Sequence, residues 1–329
     1  MKKIFLSFTF LVLISLIGLI SILSTIGIET KRFNDILSEN INKSNNNINF
    51  KFNTIKFKID LKQIGLFLET NKPIVDYRNI SIPIEELKVY INFLALIKSD
   101  AKIEKISLNF EKMGVKQLKE LSTILKPSNL TILINNRIKK GNLDGEVEIY
   151  FNKKGLIDNF ISRGLVENLK VTIKDDLHLE KTDFTFFADN TDILLKNISS
   201  ESENLKIKDG DIKIKLGQKI FLSSNFKTDL KYNQNLKLYK KFLDKNKITK
   251  NLSSLNLELN NNLYLEFDKT LKVKNFDFKN NRNIKKADIA FESPVKSNFI
   301  KDELKEFSII NTNIETNFAL KKSTINLSG

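Results

Sequence analysis

From Ile48 onward the apolar residues of this chain fall on every second position, a period that sends successive side chains to opposite faces of a strand and that no helix satisfies. Phe50 and Phe52 share a face with Ile48. After a one-residue slip at Asn53 and Thr54 the alternation resumes in Ile55, Phe57, Ile59 and Leu61, while Lys56, Lys58 and Asp60 point the other way. A bulge would produce such a slip. The pattern recurs in Leu87, Val89, Ile91 and Phe93, in Ile106, Leu108 and Phe110, and in Val147, Ile149 and Phe151. It continues through Leu169, Val171 and Ile173, then Ile212, Ile214 and Leu216, then Leu263, Leu265 and Phe267, and reaches Phe276 and Phe278. Each segment is apolar on one side only, so the spacing predicts a mostly β, antiparallel-type sheet of about fifteen strands. Such a sheet would run roughly 70 Å and could not stay flat. It has either to pack on a second sheet or to curl so that its apolar face is shielded in a groove, and periodicity does not separate the two. The segments keep no fixed repeat length, which argues against a solenoid.

The first 46 residues read differently. Lys2 and Lys3 precede an uncharged run from Ile4 to Ile28, about 37 Å long as a helix. That predicts a retained N-terminal transmembrane anchor over residues 1–30. A cleaved signal peptide is the competing reading, but its apolar part runs only about 7–15 residues and ends at a small-x-small site. Ser21, Ser24 and Gly27 are the nearest approach to one and lie among Ile and Leu. Lys31 and Arg32 balance Lys2 and Lys3, so charge leaves the orientation open. Phe33, Ile36, Leu37 and Ile41 then predict an amphipathic helix and connection over residues 31–46, with Thr30 as its cap, which plugs the base of the β-body or lies on a membrane surface.

Residues 47–329 contain no linker long enough to divide them and are read as one elongated β-rich body, complete or truncated at its C-terminus. Two helical interruptions are expected. One carries Val115, Leu118, Leu121 and Leu125 and stops at Pro127; the other lies around Leu238 to Leu243. Asn45 to Asn47, Asn135 to Asn136 and Asn260 to Asn262 read as turns, because Asn tolerates positive φ.

The net charge of +15 raises the question of nucleic acid, yet only five of the 54 basic residues are Arg and the lysines are spread singly between apolar residues. They read as the solvated faces of strands. With no cysteine, disulfides and thiolate chemistry are excluded. His178 is the only histidine and has no ligand set or nucleophile at recognisable spacing. Glu85 with Glu86, Glu201 with Glu203, and Asp144 with Glu146 and Glu148 read as polar strand faces rather than acid–base pairs. No phosphate loop or nucleophile elbow is present, so no enzyme, cofactor or metal site is expected.

The opening order of apolar helix, amphipathic helix and INFKFNTIKFKIDL from Ile48 to Leu61 resembles the N-terminal part of the AsmA-like family of bacterial envelope proteins, which includes the TamB and YhdP branches. So do ISIPIEELKVYINFLALIKSDAKIEKISLNF from Ile80 to Phe110 and the following VKQLKELSTIL. The likeness covers roughly residues 1–130 and continues loosely through GLVENLKVTI from Gly164 to Ile173. It implies a single-pass inner-membrane anchor, a periplasmic body folded as a long curled sheet with a hydrophobic groove, and phospholipid transport between inner and outer membranes. Phospholipids, the inner membrane and other envelope proteins are the implied partners. The groove would be lined by the apolar strand faces: Phe50, Phe52, Ile55, Phe57, Ile59, Leu61, Leu87, Val89, Ile91, Phe93, Ile106, Leu108, Phe110, Val147, Ile149, Phe151, Val171, Ile173, Ile212 and Ile214. Family members are usually longer, so this chain is expected to be a fragment or a short member. Two alternatives stand beside this reading. One is a non-conducting structural or outer-membrane assembly factor whose apolar face is a packed core. The other is an outer-membrane barrel, which the retained helix and the lack of aromatic girdles oppose.

Overall fold

The computed structural model describes residues 2–30, 34, 48–62, 65–91, 103–123, 129–174, 177–202, 205–233, 252–270, 272–297, 300–320 and 323–328. As the alternation requires, they are mostly β, with nineteen strands and three helices. Every strand pair whose register is described below is antiparallel. The chain divides into two compact units, Met1–Thr131 with Asp144–Arg163, and Ile132–Leu143 with Gly164–Gly329.

In the first unit, helix α1 (Lys2–Thr25) stops short of the apolar run's end. Gly27 takes φ +77°, where a side chain would be strained, and a Cβ there would lie 2.7 Å from Cγ of Lys58. The turn feeds β1 (Ile28–Thr30), which pairs with β3 (Ile55–Asp60), setting Ile28 opposite Phe57 and Thr30 opposite Ile55. Thr30 is the last residue of β1. Among the described residues no helix is long and apolar enough to cross a membrane; the side chains of α1 are described from Thr9 onward. The expected amphipathic helix lies outside the described residues except for Asn34, which is buried and donates to the Asn53 carbonyl at 2.9 Å.

The main sheet of this unit runs in the order β1, β3, β4 (Gly65–Asn71), β7 (Ile84–Ile91), β8 (Ile103–Phe110) and β10 (Ile138–Phe151). A small second sheet is formed by β2 (Ile48–Lys51), β5 (Ile74–Tyr77) and β6 (Ile80–Ser81). The slip at Asn53 and Thr54 is thus not a bulge within one strand. It is the place where the chain passes from the small sheet to the large one, so Phe50 and Ile55 belong to different layers. After β9 (Met113–Gly114) comes α2 (Val115–Ser122), whose start is tied by the Gln117 side chain accepting from the Gly114 N–H at 3.2 Å. Its predicted stop at Pro127 lies outside the described residues. Helix α3 (Asn129–Arg137) contains Asn135 and Asn136, which correct the expected turn.

In the second unit the strands follow one another as neighbours: β11 (Ile157–Lys174), β12 (Leu177–Asp189), β13 (Asp192–Ser202), β14 (Leu205–Lys215), β15 (Ile220–Asn233), β16 (Leu252–Phe267), β17 (Val273–Ser297), β18 (Ile300–Ala319) and β19 (Ser323–Ser328). Four successive strands, β11 to β14, each carry one left-handed residue: Asn168, Lys181, Asn197 and Asp209. Register shifts accompany those in β12, β13 and β14. Two of these irregularities are fixed from the next strand. Asp183 Oδ1 accepts the Asn168 N–H at 2.7 Å, and Asp211 Oδ1 accepts the Asn197 N–H at 3.2 Å. Bulges at matching levels of neighbouring strands bend a sheet along a line. Gly210 sits on that line because a Cβ would lie 2.9 Å from Cβ of Ile198. Asn260 to Asn262, expected as a turn, run through the middle of β16 opposite Lys227, Phe226 and Asn225. The alternating leucines on both sides outweigh the tolerance of Asn for turns. The helix expected around Leu238 to Leu243 lies outside the described residues.

Candidate functional site: the apolar sheet faces

Register turns the alternation into surfaces. In the first unit one row runs Ile28, Phe57, Leu68, Val89, Ile106, Ile149 across six strands, and the next runs Ile55, Thr70, Leu87, Leu108, Val147. A third comprises Ile59, Leu66, Ile91 and Ile103. These rows share one face, which brings together Ile55, Phe57 and Ile59 of β3, Leu87, Val89 and Ile91 of β7, Ile106 and Leu108 of β8, and Val147 and Ile149 of β10. At one end the small sheet covers them: Phe50, Val75, Ile84 and Leu87 form a buried cluster, against which Phe52, Ile82, Val89, Ile106, Leu108 and Phe110 pack. Phe50 therefore belongs to the cover rather than to the covered face, and Phe52 packs beside it. At the other end Ile59, Leu66 and Ile91 are half-buried, and Ile103 is exposed. Leu61 lies beyond the end of β3 and is 60% exposed, so it does not line the face. Phe93 lies outside the described residues.

The opposite face of the same strands is a ladder of charge and aromatic rings. Lys58 meets Glu69 at 2.7 Å, Lys88 meets Glu86 at 2.6 Å, and Lys105 meets Glu148 at 3.0 Å. Phe67 stacks on Tyr90 with centroids 5.1 Å apart, and the Lys105 ammonium lies 4.2 Å from the Tyr90 ring centre. Glu69 and Lys105 are buried, and pairing offsets their desolvation. The Tyr150 hydroxyl donates to Glu148 at 2.8 Å; burial first, and that bond second, push its pKa up to about 12. Burial likewise raises Tyr90. Glu148 is thus occupied by Lys105 and Tyr150, and Glu146 by Arg163, which leaves no opposed carboxylate pair there. His178 Nδ1 lies 3.0 Å from the Thr172 hydroxyl. Among the described residues no group of three or more His, Cys, Asp or Glu is placed to hold a metal ion.

In the second unit one apolar row comprises Ala188, Ile193, Ile214, Leu222, Leu265 and Phe276. The next comprises Phe186, Leu195, Ile212, Ser224, Leu263, Phe278 and Phe318. Beyond the line of bulges the same face continues in Leu205, Leu230, Leu257 and Ile284. Ile212 and Ile214 are therefore where the alternation put them; Val171 and Ile173 lie in β11, Val171 half-buried.

Between these rows runs a polar seam that the apolar reading missed. The Thr182 and Ser200 hydroxyls are 2.6 Å apart and buried. Asn261, only 3% exposed, donates to the Thr228 hydroxyl at 3.1 Å and the Phe226 carbonyl at 3.2 Å. Thr316 donates to Asn280 at 2.7 Å. The signal was in the sequence: in Leu257, Leu259, Asn261, Leu263, Leu265 an amide occupies an apolar slot.

Among the described residues the buried hydrophobics are Phe50, Ile55, Phe67, Val75, Ile84, Leu87, Met113, Ile284 and Ala287, seven of the nine in the first unit. Among the described residues no large side chain is fully enclosed. The described strands of the second unit all belong to one sheet, so its apolar face meets no second sheet among the described residues. Comparison with protein-family models, with curated proteins and with solved structures finds no match for this chain.

Proposed function

We propose that this chain is a non-catalytic, membrane-anchored lipid-binding protein of AsmA-like type, whose body lies in the periplasm and carries phospholipid acyl chains on its apolar sheet face between inner and outer membranes. The observation that carries the reading is the second unit's apolar face, which spans seven strands in one row and meets no second sheet among the described residues. Apolar side chains left half-covered in this way gain free energy from any apolar guest, at about 25 cal/mol per Å² removed from water. Acyl chains supply such surface, and their headgroups remain wet at the sheet's edge.

The anchor is part of the same proposal. In α1, Phe10, Leu11, Val12, Leu13 and Ile14 are consecutive and all exposed, so this stretch of the helix is apolar on every side. Such a helix calls for apolar surroundings, and its 24 residues extend about 36 Å. A structural or assembly role is the second reading. What favours it is the closed cluster around Leu87 in the first unit, where the apolar face is an ordinary core.

The test is photocrosslinking in cells. A photoreactive residue at Leu263 or Phe278 should capture phospholipid, whereas one at Lys213 or Lys286, which point the other way in register, should not. Equal capture from both faces, or none from either, overturns the lipid reading and leaves the structural one. Alkaline phosphatase joined after Lys269, in the turn between β16 and β17, should be active; an inactive fusion refutes the periplasmic orientation.

A further inference from the structure

The outward face of the second unit carries a depression of its own. On β15 and β16 the outward residues Ser223, Asn225 and Asn262 are short, while Lys196 and Lys213 on one side and Lys279 on the other are long. Short side chains between long ones leave a cavity of about 380 Å³ floored by the strands themselves. A second cavity of about 270 Å³ adjoins it through the shared Asn262 and Lys279, and is bordered by Asn281, Asn317 and Asn326. From β14 to β19 is five strand spacings, roughly 24 Å, the reach of a short oligosaccharide rather than a single sugar.

Three observations define what fits. First, the Ser223, Asn225 and Asn262 side chains make no hydrogen bond within the protein among the described residues, so a hydroxyl and two carboxamides offer both donors and acceptors. Second, Tyr264 borders the same cavity, is 37% exposed, and is held by stacking on Phe221 with centroids 6.3 Å apart, which presents a fixed aromatic surface. Third, each rim ammonium is already neutralised: Lys196 by Asp211 at 2.8 Å, Lys213 by Asp192 at 3.5 Å, and Lys279 by Asp277 at 2.9 Å. A site with paired charges, free amides and an aromatic plane gives an anion little reason to bind. It suits an uncharged ligand whose hydroxyls alternate as donors and acceptors around apolar C–H faces.

We propose that this surface is a binding site for a neutral oligosaccharide, with Tyr264 stacking on one sugar ring and Ser223, Asn225 and Asn262 hydrogen-bonding its hydroxyls. The site lies on the face opposite the acyl-binding rows, so it stands or falls independently of the lipid reading.

The experiment is isothermal titration calorimetry on the full chain in a detergent without a sugar headgroup, using cellotetraose, maltotetraose and chitotetraose as probes and inorganic phosphate as competitor. At least one tetrasaccharide should bind with Kd at or below about 1 mM, with little dependence on salt and no displacement by phosphate. Tyr264→Ala should weaken that binding roughly tenfold through loss of the aromatic surface. Ser223→Leu, which fills the floor and leaves Tyr264 in place, should abolish it, and it guards against misfolding of the first variant. The proposal is overturned if no probe binds at that level, if phosphate competes, or if both variants bind as the unaltered chain does.

Discussion

The two units answer the same alternation in different ways. In the first, a row of apolar side chains across six strands meets a second layer, and Leu87 falls to 6% exposure beneath Phe50 and Val75. In the second, a longer row meets no second sheet among the described residues, a seam of hydroxyls and amides runs along it, and aligned bulges crease it. The difference teaches that a one-sided apolar strand pattern does not make a core. A core needs something to lay against the apolar side, and here that is three short strands contributed by the segments 48–51, 74–77 and 80–81.

The largest expected effect tests that distinction directly. Leu87→Glu buries an unpaired carboxylate, at a cost on the order of several kcal/mol, comparable with a unit's whole margin of stability. The first unit should lose its cooperative unfolding in urea. Leu263→Glu, on the half-covered face, leaves its charge within reach of water and should keep a folded second unit while losing lipid capture. Equal unfolding by both would break the comparison. Truncations sharpen it: Leu87→Ala should cost about 3 kcal/mol, as an unfilled cavity does, and Leu265→Ala about 1 kcal/mol, both read from urea midpoints.

The crease supplies the next test. Gly210→Val should destabilise the second unit by about 2 kcal/mol, because the new side chain must displace Ile198. Asp211→Ala should cost about 1 kcal/mol, through loss of the acceptor for the Asn197 N–H. Hydrogen exchange of peptides from β13 and β14 should rise, with β7 and β8 unchanged. Exchange rising equally in both units would mean that the units do not fold separately.

The smallest effect is in pH. Hydrogen bonds from Ser254, Ser308 and Lys286 hold Asp288 down at about 2, so its contribution in the second unit is present above the ordinary carboxylate range and lost as pH falls through that value. Tyr150 in the first unit is shifted the other way. Its raised value means stability that is full below the ordinary tyrosine range and lost as pH rises through about 12. Exchange protection should therefore fail first in the second unit on the acid side and in the first unit on the alkaline side. Asp288→Asn should weaken the acid limb only, to which the lowered Asp211, Asp229 and Asp268 also contribute, and Tyr150→Phe the alkaline limb only.

The sequence by itself determined the strands and the faces. Period-two spacing in Ile55, Phe57, Ile59 and in Leu263, Leu265, Phe267 acts on neighbours two residues apart, so it is legible without knowing any distant partner. It also determined that Lys56, Lys58 and Lys88 stand opposite the apolar residues of their strands, although not that Lys56 meets Glu29, Lys58 meets Glu69 and Lys88 meets Glu86. Only the tertiary structure decided which apolar residues are buried. Phe50 and Phe57 read alike along the chain, yet Phe50 lies in a covering layer because Asn53 and Thr54 carry the chain from one sheet to another rather than around a bulge. The Asn260 to Asn262 run is a strand rather than a turn because its neighbours on both sides, Lys227 and Asn281 for Asn260, pair with it in register. Pairing partners far apart in the chain set these outcomes, and the free energy of laying one layer against another depends on contacts that no local pattern of residues encodes.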